Sequence, residues 1–396
     1  MKKLILTLFL SIPLLTGCWN AKEISELSIA TGLGIDKNGD NGYLISIQLI
    51  NPGEVTAQKG SGRSEVTTYQ IKAPTIYEAL RKLTVELPRR IYLSHVQIII
   101  LGEDIAKDGI KESVDFLSRD HEFRSDFYLL IAKGHRAEDI LSVLTPMQKV
   151  PALSMYTQLE MSEKLWAPTV ITNLDELVSD MISLGKDPIV TGVITTGNLE
   201  QAGEKSGTEK IRPAGNVNLK GVAVFRGDKL VGWLNQNQTK GLNYITSNVK
   251  STVGHLKCPD GGKFVAEVTS AKSKLSSEIK NGRPKIIAEM YIEENVGEVQ
   301  CSLDLSKEKT IKQMEKIVED RITALSKESV AKAQKLRSDI FGFGEVIHRQ
   351  HPKEWKKMKS KWTKEIFPEL EVEYKVKVDI RRIGTITNSV YDKVKE

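Results

Sequence analysis

Thr310–Arg337, TIKQMEKIVEDRITALSKESVAKAQKLR, and Glu371–Ile380, EVEYKVKVDI, are the two stretches whose reading decides the fold. The first sets Ile311, Met314, Val318, Ile322, Leu325, Ser329, Ala333 and Leu336 at steps of three and four, which is one face of a long helix. The second alternates Val372, Tyr374, Val376, Val378 and Ile380 with polar residues, the period of a half-buried strand. Strands also fit Lys263–Ser270 and Pro284–Glu294. Val217–Phe225 turns at Arg226-Gly227-Asp228-Lys229 and returns through Leu230–Leu234. Residues 217–396 therefore read as an α+β domain, an antiparallel sheet packed on one long helix at 310–337.

Upstream, residues 197–213 (GNLEQAGEKSGTEKIRP) carry hardly any apolar side chains, so 197–216 reads as a polar linker. Before it the pattern changes. Leu27–Ile35 and Tyr43–Ile50 are strands around an Asn/Asp/Gly-rich turn, and Glu65–Ile71 is a third. Thr75–Leu87 is a helix bracketed by Pro74 and Pro88; Ile91–Leu101 follows as a strand, then a helix near Ile110–Ser118. A strand at Phe127–Ala132, a helix at Asn173–Leu184 and a strand at Ile189–Thr195 complete residues 18–196. This is a mixed sheet with helices, a mixed α/β region. With 396 residues in all, more than one domain is expected, and each half has the size of a unit that folds separately.

The chain begins with Met1-Lys2-Lys3, an apolar run from Leu4 to Leu15, and Leu15-Thr16-Gly17-Cys18. That run spans about 18 Å, too short for a hydrocarbon core of about 30 Å. Residues 1–17 thus read as a lipoprotein signal peptide, and the box marks Cys18 for an S-diacylglycerol thioether and an acylated new N-terminus. Loss of Lys2 and Lys3 takes the net charge from +6 to +4. The remainder has no further membrane-length apolar run, so it reads as a folded body held to membrane lipid through Cys18. The mild charge balance and 6% aromatic content do not support a nucleic-acid partner.

Catalytic patterns are missing. Asp36-x-Asn38-x-Asp40 starts like a calcium loop, but Asn41 stands where glycine is needed and Ile47 where the bidentate acid is needed, so it reads as a turn. His348 and His351 have no third ligand in the sequence around them and read as a polar helix terminus. Ser183/Lys186 and Ser277/Lys280 show Ser-x-x-Lys spacing without its companion motifs. The sequence thus implies no enzyme, no cofactor and no metal. Cys258 and Cys301 either pair or remain thiols; bacteria with one membrane use few disulfides, which favours thiols. In Lys353–Lys364 (KEWKKMKSKWTK), Trp355, Met358 and Trp362 share a helical stripe, either packed in the core or docked on lipid or a partner.

These residues together carry a resemblance. Leu15–Asn20 (LTGCWN), Lys22–Leu27 (KEISEL) and Gly32–Asp36 (GLGID) resemble the Ger(x)C family, the C subunits of nutrient germinant receptors of spore-forming bacteria. So do Asp339–Gly344 (DIFGFG), Pro352, Trp355, Trp362 and Arg381–Gly384 (RRIG) near the other end. Asn20 departs from the aspartate usual in the family. The resemblance implies a non-catalytic lipoprotein subunit on the outer face of the spore inner membrane. It also implies an A subunit and a transporter-like B subunit as partners, with Cys18 as the functional residue carried over. A solute-binding lipoprotein of a transport system is the alternative; it usually shows two related α/β lobes, which this pattern lacks.

Overall fold

The computed structural model describes residues 27–39, 42–56, 62–259 and 261–384. The first sheet opens with β1 (Leu27–Lys37), β2 (Tyr43–Ile50) and β3 (Val66–Ala73), followed by α1 (Ile76–Lys82) and β4 (Arg90–Tyr92). Next come β5 (Ile98–Gly102), α2 (Glu103–Asp108), α3 (Lys111–Arg119), β6 (Tyr128–Ala132) and α4 (Ala137–Leu141). Then follow α5 (Pro151–Leu165), α6 (Leu174–Ile182), β7 (Ile189–Gly197), β8 (Gly215–Arg226) and β9 (Lys229–Leu234). The second part holds α7 (Gln236–Ile245), β10 (Thr252–Lys257), β11 (Lys263–Lys280) and β12 (Arg283–Gln300). It ends with α8 (Glu308–Leu336), α9 (Phe343–Gln350), α10 (Pro352–Met358) and β13 (Glu371–Arg382).

Strand order in the first sheet is β3-β2-β1-β5-β6-β7-β8-β9, with β4 beside the start of β1. Strands β1, β5, β6 and β7 are parallel, because helical crossovers return the chain to the same edge. Helices cover both faces. Ile99, Leu101, Leu129 and Ile131 pack with α1, α2, α3 and α6, while Ile98, Ile100 and Leu130 pack with α4 and α5. Burial on both sides accounts for the unbroken apolar runs at 98–101 and 129–132. Thr75 and Asn173 cap α1 and α6 by accepting from the backbone N–H of Glu78 and Glu176.

The second sheet runs β10-β11-β12-β13. The β11–β12 hairpin turns at Asn281 and Gly282, both at positive φ (52° and 76°), the turn whose twist matches paired strands. Helix α8 lies over this sheet through Met314, Val318, Ile322 and Val330. The class is mixed α+β, as the pattern implies, and α8 and β13 fall where the sequence puts them.

Several expectations are corrected. Strand β13 pairs with β12 in parallel, not antiparallel, because α8 is a crossover that brings the chain back to the same end. The strand expected at Ile91–Leu101 is two, β4 and β5, broken by a turn in which the Val96 N–H donates to the Leu93 carbonyl. Strands β11 and β12 run well past Ser270 and Glu294. Helices α5 and α7 had no signal. In α5, Leu153, Met161 and Leu165 are exposed while Ala152, Met155 and Leu159 are buried, so no single stripe forms. In α7 even Thr239, Lys240 and Asn243 are buried, which erases the polar face.

The polar stretch 197–216 does not divide two sheets. It carries helical turns at Leu199–Ala202 and Lys205–Thr208 and joins β7 to β8, which are hydrogen-bonded neighbours. Strands β8 and β9 therefore extend the first sheet, and the second core also takes in Ala167, Val170, Ile189, Val222, Val224 and Leu234. A chain cut to residues 217–396 loses β7, one of the two partners of β8, and three of these core residues. Its thermal melt should show no cooperative transition, whereas a sharp one would mean that the two parts share no essential core.

Candidate functional site

The DIFGFG block stands where the two parts meet. Helix α8 stops at Arg337, left-handed at φ 52°, with the Ser338 N–H donating to Ala333 O at 3.1 Å, a closing motif of helix ends. The turn delivers Asp339, which is buried. Its Oδ1 accepts from the N–H of Phe341 (3.2 Å) and Phe343 (3.1 Å), and its Oδ2 from the N–H of Gly344 (2.8 Å) and the Trp362 indole (3.0 Å). Burial pushes this carboxyl up to about 7, against the downward pull of those donors.

Asp187, in the loop between α6 and β7, completes a reciprocal lock. Its N–H donates to Asp339 O at 2.8 Å, and its Oδ2 accepts from the Asp339 N–H at 3.0 Å. Its Oδ1 takes the Gly227 N–H from the β8–β9 turn at 3.0 Å, and the Ser338 hydroxyl donates to Phe225 O at 2.6 Å. Burial raises the Asp187 carboxyl as well. At Gly344, an added Cβ would lie 2.6 Å from Gly185 Cα and 2.8 Å from Trp355 Cη2, so side chains are excluded at this crossing.

Around Asp339 the aromatic side chains close in. Trp355 and Trp362 meet edge to face at 5.3 Å, Phe341 stacks on Phe343 at 4.8 Å, and Trp362 leans on Phe367 at 6.1 Å. Both tryptophans and Met358 are buried, which settles the stripe as core. His348 stacks on Trp355, and the His351 ring lies 3.1 Å from Ser277 O, so the two histidines serve packing and a main-chain contact.

Beside the lock opens a cleft of about 480 Å³, lined from the first part by Thr172, Glu176, Asp180 and Lys186 and from the second by Phe341, Glu345 and Arg349, among others. Lys186 pairs with Asp180 at 2.9 Å, and the Ser183 hydroxyl donates to Glu345 Oε1 at 2.7 Å. The cleft thus carries the Asp180–Lys186 ion pair beside the acids Glu176 and Glu345 and the base Arg349.

The other sequence candidates fall elsewhere. Cys18 and Asp40 lie outside the described residues. Asp36 is buried and caps α4, accepting from the N–H of Ala137 (2.8 Å) and Glu138 (3.0 Å). Cys258 and Cys301 form a disulfide, correcting the thiol reading. The register Lys263↔Gln300 brings them together, and it was hidden while both strands were read as ending early. Among the described residues no group of three His, Cys, Asp or Glu gathers. Sequence reading missed Asp187, which no motif marks.

Residues 20–195 match the spore germination protein N-terminal domain, and residues 220–384 match the family described as spore germination B3/GerAC like, C-terminal. The chain belongs to the Ger(x)C family of spore germination proteins. It is 30% identical over 399 residues to spore germination protein KC of Bacillus subtilis (strain 168), covering 98% of this chain and 97% of that one. Spore germination protein B3 of the same organism is 27% identical, covering 96% and 97%. The crystal structure of the GerBC protein shares the fold, with a TM-score of 0.54 at 21% identity over 90% of this chain and 99% of that one.

Two outcomes follow from the lock. Asp339→Asn sets an amino group against two N–H donors and should cost about 2–4 kcal/mol, read from the denaturant midpoint. Because the folded carboxyl is raised from 3.8 to about 7, the folded state holds a proton that the unfolded chain has lost between those values. The stability contributed by that proton is full below pH 4 and disappears as pH rises through 7, a slope that Asp339→Asn should flatten. An unchanged midpoint and slope would remove Asp339 from the lock. In addition, titration of denatured, unreduced protein should find no free thiol from Cys258 or Cys301; two would exclude the bond.

Proposed function

We propose that the chain is a non-catalytic C subunit of a nutrient germinant receptor, tethered through lipid on Cys18 to the outer face of the spore inner membrane. It acts there by binding A and B subunits. The observation that carries this reading is the end-to-end similarity to spore germination proteins KC and B3, beyond any shared signal segment.

Other features support it. No helix among the described residues is long and apolar enough to cross a membrane, and the lipobox at Leu15–Cys18 supplies a lipid attachment. Leu27 opens β1 nine positions after Cys18, a tether of at most about 30 Å. The Cys258–Cys301 bond suits the oxidising side of a membrane. The polar seam cleft, built from both parts, offers a partner a surface that exists only while the lock holds. Two unlike sheets speak against a solute-binding lipoprotein of two related lobes.

Cys18→Ala in spores tests the tether. The variant should fold, leave the membrane fraction on washing and lower the germination response to nutrients. Full retention together with normal germination would overturn the anchor.

A further inference from the structure

Away from the seam, α7 and α8 roof a cavity of about 160 Å³ over β10, β11 and β12. Glu294 on β12 lines it and is 2% exposed, and its Oε2 has no hydrogen-bond partner. A buried carboxylate oxygen without a partner is strongly unfavourable, so its retention asks for a reason. Lys240 on α7, 8% exposed, lines the same cavity. Its ammonium donates to Val253 O at 3.1 Å and stands 3.7 Å over the Trp166 ring. Arg321 on α8 adds a second cation, and the walls between are Ala266, Val268, Val318 and Ile322.

Strand register sets the spacing. Thr252 on β10 pairs with Val268 on β11, and Val268 pairs with Glu294 on β12. The Lys240 ammonium is held at Val253 O, next to Thr252, a main-chain position two strand spacings, about 10 Å, from that of Glu294. Ala266 and Val268 on β11 line the floor between them. A cavity of this size takes about six to nine heavy atoms, since one of about 150 Å³ takes benzene.

We infer that this cavity binds a small zwitterion, its ammonium seated on Glu294 and its carboxylate on Lys240 and Arg321. One carboxylate without companions does not make a metal site, and a plain anion would leave Glu294 uncompensated. A zwitterion satisfies both ends at once and lays its short aliphatic stretch on Val268 and Ala266. The inference does not rest on the receptor reading, because it is argued from the cavity's own lining, which β10, β11, β12, α7 and α8 supply together with Trp166 at the end of α5.

Protonation gives the site a signature. Burial alone pushes the Glu294 carboxyl up to about 7, and burial, then the nearby Arg321, lowers Lys240 to about 8. Tyr244 on α7, Arg321 on α8 and His255 on β10 are the other ionisable groups that line the cavity. An ammonium ligand selects ionised Glu294, so binding should tighten several-fold from pH 6 to 7.5 and weaken again as Lys240 loses its proton.

The test titrates the full chain in detergent with glycine, L-alanine, γ-aminobutyrate and 5-aminovalerate by calorimetry, with butylamine and butyrate as single-charge controls. At least one zwitterion should bind saturably and at least tenfold more tightly than either control, with the pH profile above. Glu294→Gln removes an uncompensated buried charge and should fold, yet weaken that ligand at least tenfold; Lys240→Met should do the same. Absence of saturation by every zwitterion to 50 mM overturns the inference, as does equal binding by wild type and Glu294→Gln.

Discussion

The reciprocal pairing of Asp187 and Asp339 is the constraint on which the rest of the molecule depends. Each backbone N–H is satisfied by the other residue, and each carboxylate gathers N–H groups from a different neighbourhood. Asp187 collects the β8–β9 turn, whereas Asp339 collects the start of α9 and the indole of Trp362. Two buried acids are unfavourable when left alone. Here the donors around them are main-chain groups that burial would otherwise orphan, so removing either acid strands several partners. Orientation of the second sheet on the first follows from this arrangement, as does the polar cleft beside it.

A second dependence runs through the β11–β12 hairpin. One turn, Asn281-Gly282, sets a register kept, with bulges, over strands of 18 residues. That register joins Cys258 to Cys301 and aligns Thr252, Val268 and Glu294 across three strands. Disulfide and cavity therefore share one cause. A slip of one residue would turn Glu294 to the outer face and separate the sulfurs.

For a member of the Ger(x)C family this division of labour is coherent. In the C-terminal block, glycine permits a backbone crossing, tryptophan fills a core and supplies an N–H, and aspartate ties helix ends together. Such residues preserve a shape.

Much of this was legible in the chain itself. The 3.6-residue stripe of α8, the alternation of β13 and the apolar runs of β5 and β6 report which side of each element is buried, a local property of side-chain spacing. Candidate residues Trp355 and Trp362 were legible as a stripe, but only packing decided that the stripe is internal. Local spacing carries no information on which elements meet. The parallel setting of β13, the continuation of the first sheet through residues 197–216 and the pairing of Cys258 with Cys301 are all long-range. So is the burial of polar α7, where Thr239, Lys240 and Asn243 are all covered. Sequence by itself determined the strongly patterned elements, α8, β13 and the apolar strands β5 and β6, with their buried faces, because periodicity is written in side chains. Tertiary structure alone decided the lock, the disulfide and the charged cavity, because each joins residues that only strand register and helix crossover bring within reach.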